Sequence, residues 1–264
     1  MKIISWNVNS VRIRIHLLKD LIQKKSPDII CLQEIKVEEF LFPKEEISKL
    51  GYNFIEISGE KSYNGVAIIS KIPIHGSSAI DILNYGHKRH ISTTIDTKVG
   101  KIDLHNFYVP AGGDIADPIT NNKFDHKLKF LDWMNEFFSQ QKQKKIIIVG
   151  DFNIAPLPND VWSHKQLIDV VSHTPIEVEK LNKIKSSIEF IDTHRQFISE
   201  HDKLYSWWSY RALDPVKSNR GRRLDHIWAT SNLKNYLIKV QNHTEYRTML
   251  NPSDHIPIES EFNF

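Results

Sequence analysis

Short apolar runs rich in β-branched residues recur along the chain, and they limit its fold more than any other feature of the sequence. Ten such runs occupy residues 3–6, 28–32, 52–57, 66–70, 91–95, 102–109, 145–149, 224–229, 237–242 and 256–262. Their length and composition are typical of buried or half-buried strands. A chain with this many strands must bury them by packing sheet on sheet or sheet on helix, so we expect a sheet-rich core.

Two segments between the strands have the spacing of amphipathic helices. Residues 12–25 carry apolar side chains on one face and stop before Pro27, and residues 122–140 carry an apolar and aromatic stripe that we interpret as core. Residues 57–109 hold several strands in succession with little helix, which favours a mixed sheet over a parallel one. The pattern predicts a layered α/β or α+β sandwich. Because no linker, repeat or low-complexity tract divides the chain, we expect one domain over residues 1–264.

Composition excludes several classes of protein. Of the 264 residues, 40% are hydrophobic and 25% are charged, which is a globular balance. Cys31 is the one cysteine, so no intrachain disulfide can form, and a lone thiol in an apolar run fits a reducing compartment. The apolar stretch at the N-terminus is too short for a signal peptide, and no later run reaches the roughly 18 apolar residues of a membrane span. We expect a soluble, cytoplasmic protein with no membrane partner.

The basic residues are unevenly distributed. The net charge of +3 permits a polyanionic partner without requiring one. Between Arg211 and Arg223, however, five basic residues stand against the single acid Asp214. A solvated loop would also explain this run. The aromatic residues just upstream, Trp207 and Trp208 among them, favour a surface that binds nucleic acid.

Polar and acidic residues stand at the ends of several predicted strands. They are Asn7, Glu34, Asp151 with Asn153, Asp225, and the segment Ser253-Asp254-His255. Taken singly, each is explained by a turn or a cap. Four carboxylates, two carboxamides and a histidine at such positions are harder to explain in that way, because crowded carboxylates repel one another unless a cation lies between them.

The residue types in this set indicate a hard divalent cation. Asp, Glu and Asn oxygens with at most one histidine suit Mg²⁺ or Mn²⁺, and the sequence has no Cys/His cluster for zinc. A histidine beside an aspartate can move protons or stabilise charge near neutral pH. Together these groups favour hydrolysis of a phosphoester. The sequence has no G-x-x-x-x-G-K-[ST], G-x-G-x-x-G or G-x-S-x-G motif, which argues against nucleoside triphosphate, dinucleotide and serine hydrolase chemistry.

A set of short motifs in a fixed order identifies a family. The motifs are Trp6-Asn7-Val8-Asn9, Leu32-Gln33-Glu34, Asn64-Gly65-Val66-Ala67, Tyr108-Val109-Pro110, Gly150-Asp151-Phe152-Asn153-Ile154, Leu224-Asp225-His226 and Ser253-Asp254-His255. Over residues 3–262 the chain resembles the exonuclease III family of the endonuclease/exonuclease/phosphatase superfamily. The resemblance implies a four-layered sandwich, in which two mixed β-sheets pack face to face with helices on both outer sides. It also implies one active site at a common edge of the sheets.

The resemblance further implies a role for each matching residue. The residues at the metal would be Asn7, Glu34, Asp151, Asn153, Asp254 and His255. Asp151 would orient or deprotonate the attacking water, and Asn153 would hold a phosphate oxygen. Tyr108 would lie against the scissile phosphate as a donor or a phenolate. His255, with its tautomer fixed by Asp225, would stabilise the transition state. The sequence does not assign the general base.

A second segment bears on the choice of substrate. Residues 205–211 and 219–225 resemble the family segment that holds a sugar lacking its base, and Trp207, Arg222 and Leu224 would form that pocket. An aromatic side chain such as Trp207 can pack against an abasic sugar and exclude a full nucleotide. A buried core tryptophan would also explain this position.

Three positions depart from the family pattern. Arg222 stands where the family usually has an apolar residue, and Ala111 stands where an amide often contacts phosphate. Asp114 stands where some relatives carry a basic residue that reaches into DNA. These departures leave open the balance between cleavage at abasic sites and exonuclease action.

The resulting hypothesis is a DNA-repair phosphodiesterase that depends on Mg²⁺ or Mn²⁺. It would act on double-stranded DNA as a monomer without an obligate protein partner, degrading strands from 3′ to 5′, cleaning 3′ ends and cutting 5′ to abasic sites. One alternative is a phosphatase or phosphodiesterase of the superfamily that acts on a small molecule or a lipid. Others are a nonspecific DNA-nicking nuclease and a nucleic-acid-binding module that has lost catalysis.

Overall fold

The computed structural model describes residues 1–211 and 215–264. Within these residues the strands are β1 (Lys2–Asn7), β2 (Ile29–Gln33), β3 (Phe54–Ser58), β4 (Val66–Ser70), β5 (His75–Ser78), β6 (His90–Thr97), β7 (Gly100–Tyr108), β8 (Ile146–Asp151), β9 (Phe190–Asp192), β10 (Trp207–Trp208), β11 (Gly221–Arg222), β12 (Asp225–Thr230), β13 (Leu237–Asn242) and β14 (Ile258–Phe262). The helices are α1 (Val11–Lys25), α2 (Lys44–Ser48), α3 (Asn122–Ser139), α4 (His164–Leu167), α5 (Pro175–Ser187) and α6 (Pro215–Ser218). The predicted strands and the two predicted helices are all present, with ends that differ by a few residues.

The strands form two six-stranded sheets and one short ribbon. The first sheet has the order β13-β14-β1-β2-β4-β3, the second has the order β5-β6-β7-β8-β12-β9, and β10 pairs with β11. Each large sheet contains one parallel pair, β1 with β2 and β7 with β8, and its other pairs are antiparallel. The mixed character predicted from the sequence is therefore confirmed.

Successive side chains on the central strands point alternately into the space between the sheets and toward the outer helices. Ile3 and Ile147 lie in the cluster between the two sheets. Ile4, the next residue on β1, packs outward with side chains of α1, and Ile148, the next residue on β8, packs outward with side chains of α3 and α5. Successive strand residues point to opposite faces, so strands buried on both faces have the continuous apolar runs that the sequence shows. The order of layers is α1, first sheet, second sheet, then α3 with α5, which confirms the four-layered sandwich.

Helix ends follow local signals. The side chain of Asn121 accepts a hydrogen bond from the backbone N–H of Lys123 at the start of α3. Helix α5, which the apolar spacing did not predict, begins with Pro175 after a capping box between Thr174 and Glu177. That box was present in the sequence and would have revealed the helix. No helix of the described chain is both long and apolar enough to cross a bilayer.

A pair of buried amides joins the two sheets. The Gln33 side chain donates to the Asn106 side-chain oxygen at 2.7 Å and to Ser5 Oγ at 3.1 Å. Asn106 in turn donates to the carbonyl oxygens of Leu32 and Ala67, both at 2.9 Å. Gln33 and Asn106 are fully buried. Because a buried amide must find its partners, this cluster fixes how β2 and β4 of one sheet sit over β7 of the other.

Several buried histidines make stability depend on pH. Burial lowers the pKa of His105 and of His194 to about 4 and that of His226 to about 3. Each would titrate near 6.5 in the unfolded chain, so between pH 6.5 and pH 4 the unfolded state takes up protons that the folded state does not. The contribution of these neutral buried histidines to the free energy of unfolding is complete above pH 6.5 and is lost as pH falls toward 4. Asp151, whose pKa is raised to about 7, and His255, whose pKa is raised to about 10, act in the opposite direction, but they are two groups against three.

We therefore expect the free energy of unfolding to fall between pH 7 and pH 5, by on the order of 2 kcal/mol for each of these histidines. Chemical denaturation followed by circular dichroism at several pH values measures this. The His105→Gln variant should show a shallower slope, whereas His75→Gln, at an exposed histidine, should keep the slope of the parent protein. A stability that stays constant over this interval would contradict the expectation.

Candidate active site

Strand ends from both sheets meet at one edge of the sandwich. β1 ends at Asn7, β7 ends at Tyr108 and β8 ends at Asp151. β12 runs antiparallel to β8, with Asp225 opposite Asp151, so the start of β12 lies at the same edge. Six of the eight residues predicted for the metal or the catalysis also line one cavity of about 260 Å³ at this edge, namely Glu34, Tyr108, Asp151, Asn153, Asp254 and His255. Asn7 and Asp225 lie directly behind it, bonded to Asp151 and His255.

Asp151, His255 and Asp225 form the innermost group. His255 Nδ1 lies 2.8 Å from Asp225 Oδ2, and His255 Nε2 lies 3.6 Å from Asp151 Oδ2. All three side chains are almost fully buried. Burial alone would lower the pKa of His255, but the carboxylates of Asp225 and Asp151 outweigh it and raise the pKa to about 10. Burial raises the pKa of Asp151, His255 opposes this and Asp225 adds to it, and the result is about 7. The pair of carboxylates therefore holds a charged histidine whose Nε2 faces the cavity.

Glu34 and its neighbours form a second acidic group. Asn7 Nδ2 donates to Glu34 Oε1 and to Asp151 Oδ2, both at 2.9 Å, and so joins the two carboxylates. The Tyr108 hydroxyl donates to Glu34 Oε1 at 2.7 Å, and Lys36 Nζ lies 2.8 Å from Glu34 Oε2. Burial would raise the pKa of Glu34, but the Lys36 ammonium and the hydrogen bonds from Asn7 and Tyr108 hold it below its usual value. Glu34 is therefore an anion at neutral pH.

Tyr108 is a protonated phenol in this arrangement. Burial and the charge of Glu34 raise its pKa well above the usual value, while Arg89 opposes them. The Arg89 guanidinium lies 4.6 Å from the centre of the Tyr108 ring. Of the two roles that the sequence left open for Tyr108, the structure favours the donor over the phenolate.

Asp254 lies between the acidic groups and the indole ring of Trp207. Asp254 Oδ1 accepts from Asn9 Nδ2 at 3.0 Å, and Asp254 Oδ2 accepts from Trp207 Nε1 at 3.0 Å. Burial would raise the pKa of Asp254, but His255, Asn9 and Trp207 keep it lowered. Asp254 is thus an anion next to the cavity, and its charge fixes the indole ring of Trp207.

Asn153 is held by a buried ion pair that the sequence did not reveal. The Asn153 side chain donates to Val109 O at 2.9 Å and to Asp151 Oδ2 at 3.2 Å. Lys127 Nζ donates to Asn153 O at 2.8 Å and to Ala111 O at 3.2 Å, and it lies 2.5 Å from Glu177 Oε1. Lys127 is fully buried on α3. A lysine inside an apolar stripe would normally be expected at the surface, and its partner lies on the helix that was not predicted.

Three residues at this edge have an unusual backbone conformation with positive φ. Glu34 and Asn153 both have positive φ, at 50° and 53°. Gly150, directly before Asp151, has φ 140°, and a Cβ there would lie 1.9 Å from the carbonyl oxygen of Phe107. Only glycine fits this position. Strained residues of this kind are retained where the surroundings fix the backbone, and here they aim three side chains at one cavity.

The tryptophan pocket forms the other wall of the same cavity. Trp207, Arg222 and Leu224, which were predicted for it, all line the cavity, together with Ala111 and Ser172. Trp207 pairs with Arg222 across the β10–β11 ribbon. The Arg222 guanidinium carbon lies 5.6 Å from the centre of the Trp207 ring. The structure therefore brings the pocket residues and the acidic groups together.

The basic residues between Arg211 and Arg223 do not all lie on one surface. A groove of about 660 Å³ adjoins the cavity and is lined by Trp162, Arg211, Arg220 and Asp114. Arg223, by contrast, is buried and makes an ion pair with Asp192 at 2.6 Å, so its inclusion in a nucleic-acid surface was wrong. The prediction missed this because its acidic partner lies thirty-one residues earlier in the chain. Asp214 and its neighbours at 212–213 lie outside the described residues.

The donor set fits a divalent cation. One oxygen each of Asp151 and Asp225 and a ring nitrogen of His255 lie within 4.8 Å of one another. Because both ring nitrogens of a charged histidine carry protons, the two carboxylates are the ligands in this group. Asp225 Oδ1 is buried and has no hydrogen-bond partner in the described part of the chain. An unpaired, buried carboxylate oxygen beside a second carboxylate is what a hard cation would satisfy. The Glu34 oxygens accept from Asn7, Tyr108 and Lys36, which leaves Glu34 as a second, more exposed acidic position at the same cavity.

Residues 4–255 match the Endonuclease/Exonuclease/phosphatase family. The chain belongs to this family. A curated relative, exodeoxyribonuclease III of Haemophilus influenzae, is 32% identical over 99% of this chain and 100% of its own length. The family's members are hydrolases of phosphoester bonds and depend on metal, so the predicted class of enzyme and the predicted branch of the superfamily are both confirmed.

Solved structures of the family show the same architecture. An AP endonuclease from Archaeoglobus fulgidus superimposes with a TM-score of 0.91 at 31% identity, and each chain is covered completely. A 3′ phosphatase from Neisseria, bound to a product DNA hairpin, gives a TM-score of 0.91 at 28% identity with complete coverage of both chains. Two mixed sheets with outer helices are therefore the common framework of these endonuclease/exonuclease/phosphatase proteins.

Proposed function

We propose that this protein is a DNA-repair nuclease that requires Mg²⁺ or Mn²⁺. It would remove nucleotides and blocking groups from the 3′ ends of duplex DNA and cleave 5′ to abasic sites. The observation that supports this best is the single cavity in which Asp151, Asn153 and His255 face a wall of Trp207 and Arg222. The full-length similarity to an exodeoxyribonuclease III and to an AP endonuclease points to the same substrate class.

The side chains divide the work of hydrolysis as follows. Asp151, with a pKa near neutrality, orients the water and accepts its proton as the oxygen attacks phosphorus. The Asn153 amide donates to a non-bridging phosphate oxygen. The charged His255, whose Nδ1 is held by Asp225, donates through Nε2 to the oxygen on which negative charge develops. The Tyr108 hydroxyl, which donates to Glu34 Oε1 in this structure, donates to a phosphate oxygen when substrate is bound.

A divalent cation would supply further charge neutralisation. Asp151, Asp225 and Glu34 are the carboxylates placed to hold it, with Asn7, Asn153, Asp254 and His255 beside them. Bound there, Mg²⁺ or Mn²⁺ would stabilise the charge on the phosphate oxygens during in-line displacement. Mg²⁺ is suited to such a site because it keeps several waters and needs only one or two carboxylates.

Double-stranded DNA is the proposed partner. The groove beside the cavity carries Arg211, Arg220 and Trp162, and the Arg220 guanidinium carbon lies 4.7 Å from the centre of the Trp162 ring. Basic side chains that neutralise phosphates make binding weaken with salt, whereas a small substrate would show little of this effect. We also propose that the protein acts as a single-domain monomer in the cytoplasm, and the buried thiol of Cys31 supports a reducing compartment.

Three duplexes of one sequence test this function: one with an abasic analogue, one with a recessed 3′ hydroxyl and one with a recessed 3′ phosphate. With Mg²⁺ or Mn²⁺ we expect cleavage that stops completely in EDTA and returns when the metal is restored. Raising salt from 50 to 200 mM should weaken binding by roughly 10³-fold if about six phosphates are contacted. Equal activity on all DNA regardless of lesion or end would indicate a nonspecific nuclease. Hydrolysis of small phosphoesters that DNA does not inhibit would overturn the proposal.

A further inference from the structure

The side chain of Arg222 occupies a fixed position in the pocket wall. Its backbone is held on both sides, by Trp207 of β10 and by a bridge to Val161. Its Nη1 donates to Val171 O at 2.9 Å and to Ser172 Oγ at 2.5 Å. Tyr205 packs against the preceding residue, Gly221, so closely that a Cβ there would lie 2.6 Å from the ring. The guanidinium is therefore placed by the fold and is not a mobile surface group.

Within residues 1–211 and 215–264, no ion pair neutralises the charge of Arg222. No carboxylate of the described residues lies within salt-bridge distance of it, and the nearest acidic influence, Glu177, already pairs with Lys127. A guanidinium has five N–H donors and remains charged in proteins. The two bonds from Nη1 leave Nε and Nη2 without a protein acceptor among the described residues. Arg222 lines both the cavity and the adjoining groove, so the wall opposite the acidic groups carries a cationic donor that no described carboxylate neutralises.

This arrangement suits different substrates differently. Both proposed reactions break the bond between phosphorus and the 3′ oxygen. At an abasic site the same phosphate also carries the abasic sugar, whereas at a 3′-phosphate end it carries only unesterified oxygens. A neutral abasic sugar packed on Arg222 would strip water from the guanidinium and give no charge in return. A terminal phosphate carries a charge of about −1.5 to −2 near pH 7, and a guanidinium can bind its oxygens through two parallel hydrogen bonds.

We propose that Arg222 makes this protein selective for 3′ ends whose phosphate is terminal, over internal abasic sites. This rests on the proposed function and specifies its substrate. In the favoured reaction water attacks phosphorus, the bond from phosphorus to the 3′ oxygen breaks, and the products are a 3′ hydroxyl end and inorganic phosphate. The proton released by the water is balanced by the proton that the 3′ oxygen gains. Because Arg222 meets the terminal charge before and during the reaction, its contribution falls mainly on KM.

The experiment compares kcat/KM on a 3′-phosphate duplex and on an abasic-analogue duplex of the same sequence. We expect the parent protein to prefer the 3′ phosphate, and Arg222→Leu to shift the ratio toward the abasic site by roughly 10- to 100-fold, mainly through KM on the 3′ phosphate. Arg222→Lys, which keeps the charge but loses the paired hydrogen bonds, should fall between them. Arg220→Leu removes a charge from the adjoining groove and should lower kcat/KM on both duplexes by the same factor.

The outcomes separate the two proposals. A parent protein that cuts neither duplex would refute the nuclease function itself. If the parent cuts both and Arg222→Leu leaves the ratio unchanged, or if it loses both activities in proportion while its melting temperature is that of the parent, the selectivity of Arg222 is refuted and the nuclease function stands. If Arg222→Leu is unstable, the Arg222→Lys ratio decides, because that variant keeps the volume and charge of the site.

Discussion

Asp151→Asn is expected to lower kcat by about 10³-fold or more while leaving the fold intact. Asp151 accepts hydrogen bonds from Asn7, from the Asn153 side chain and from the Asn153 backbone, and it faces His255. Asparagine has nearly the same shape but cannot take a proton from water, and it brings no negative charge to a cation or to His255. The loss should appear in kcat on every DNA substrate, because the step it affects is common to all of them.

The control for this variant is a carboxylate far from the cavity. Asp96 lies on β6 at the end opposite the active-site edge, where it is exposed and close to His75. Asp96→Asn should keep kcat within about twofold of the parent, since surface substitutions seldom perturb a distant site. Rapid-quench measurement at saturating DNA and metal isolates kcat, and thermal melting checks the fold. Near-normal turnover in Asp151→Asn would remove Asp151 from the proposed mechanism.

His255→Ala and Asp225→Asn should each reduce kcat by about 10³-fold, and the double variant should be little worse than either. His255 donates through Nε2 only while Asp225 holds the proton on Nδ1 and stabilises the charged ring, at a distance of 2.8 Å. An amide at position 225 could donate to Nδ1 and so reverse the tautomer. Two groups that act as one unit give strongly non-additive losses.

The matched control breaks a similar pair elsewhere. His243 Nε2 lies 3.0 Å from Glu259 Oε2, both residues are buried, and neither lines the cavity. Glu259 pairs with Ile4 of β1, whose side chain packs on the outer face of the first sheet. Glu259→Gln should therefore lower stability without lowering kcat. If the losses of His255→Ala and Asp225→Asn multiply in the double variant, the two residues act independently and the assigned role of Asp225 is wrong.

The sequence predicted the parts of the site that stand at strand ends. Asn7, Asp151 and Asp225 were identifiable because a buried strand stops or starts at each of them, and parallel or antiparallel register carries such ends to one edge. The mixed character of the sheets was predictable because several strands follow one another over residues 57–109 with little helix between them, whereas the presence of two sheets was implied by the family resemblance. The roles of the individual residues stay predictions until the variants are measured.

Other parts could not be predicted because they depend on contacts between distant segments. Strands β10 and β11 are two residues long, which is too short for any periodic pattern. Lys127 and Arg223 have the composition of surface residues, and only their buried partners explain their burial. The free charge of Arg222 is likewise a property of its surroundings, since the same residue in an exposed loop would have no preference among 3′ ends.

Two segments that are far apart in the sequence, around Asn7 and around Ser253, join at the active site. Ser253 Oγ donates to Asn7 O at 2.7 Å, and β14 pairs with β1 along the sheet that supports Asn7. During synthesis, Asn7 and Glu34 emerge from the ribosome long before His255 does. A nascent chain from which His255 has not yet emerged therefore lacks one of the proposed catalytic groups, and we expect it not to cut nucleic acid.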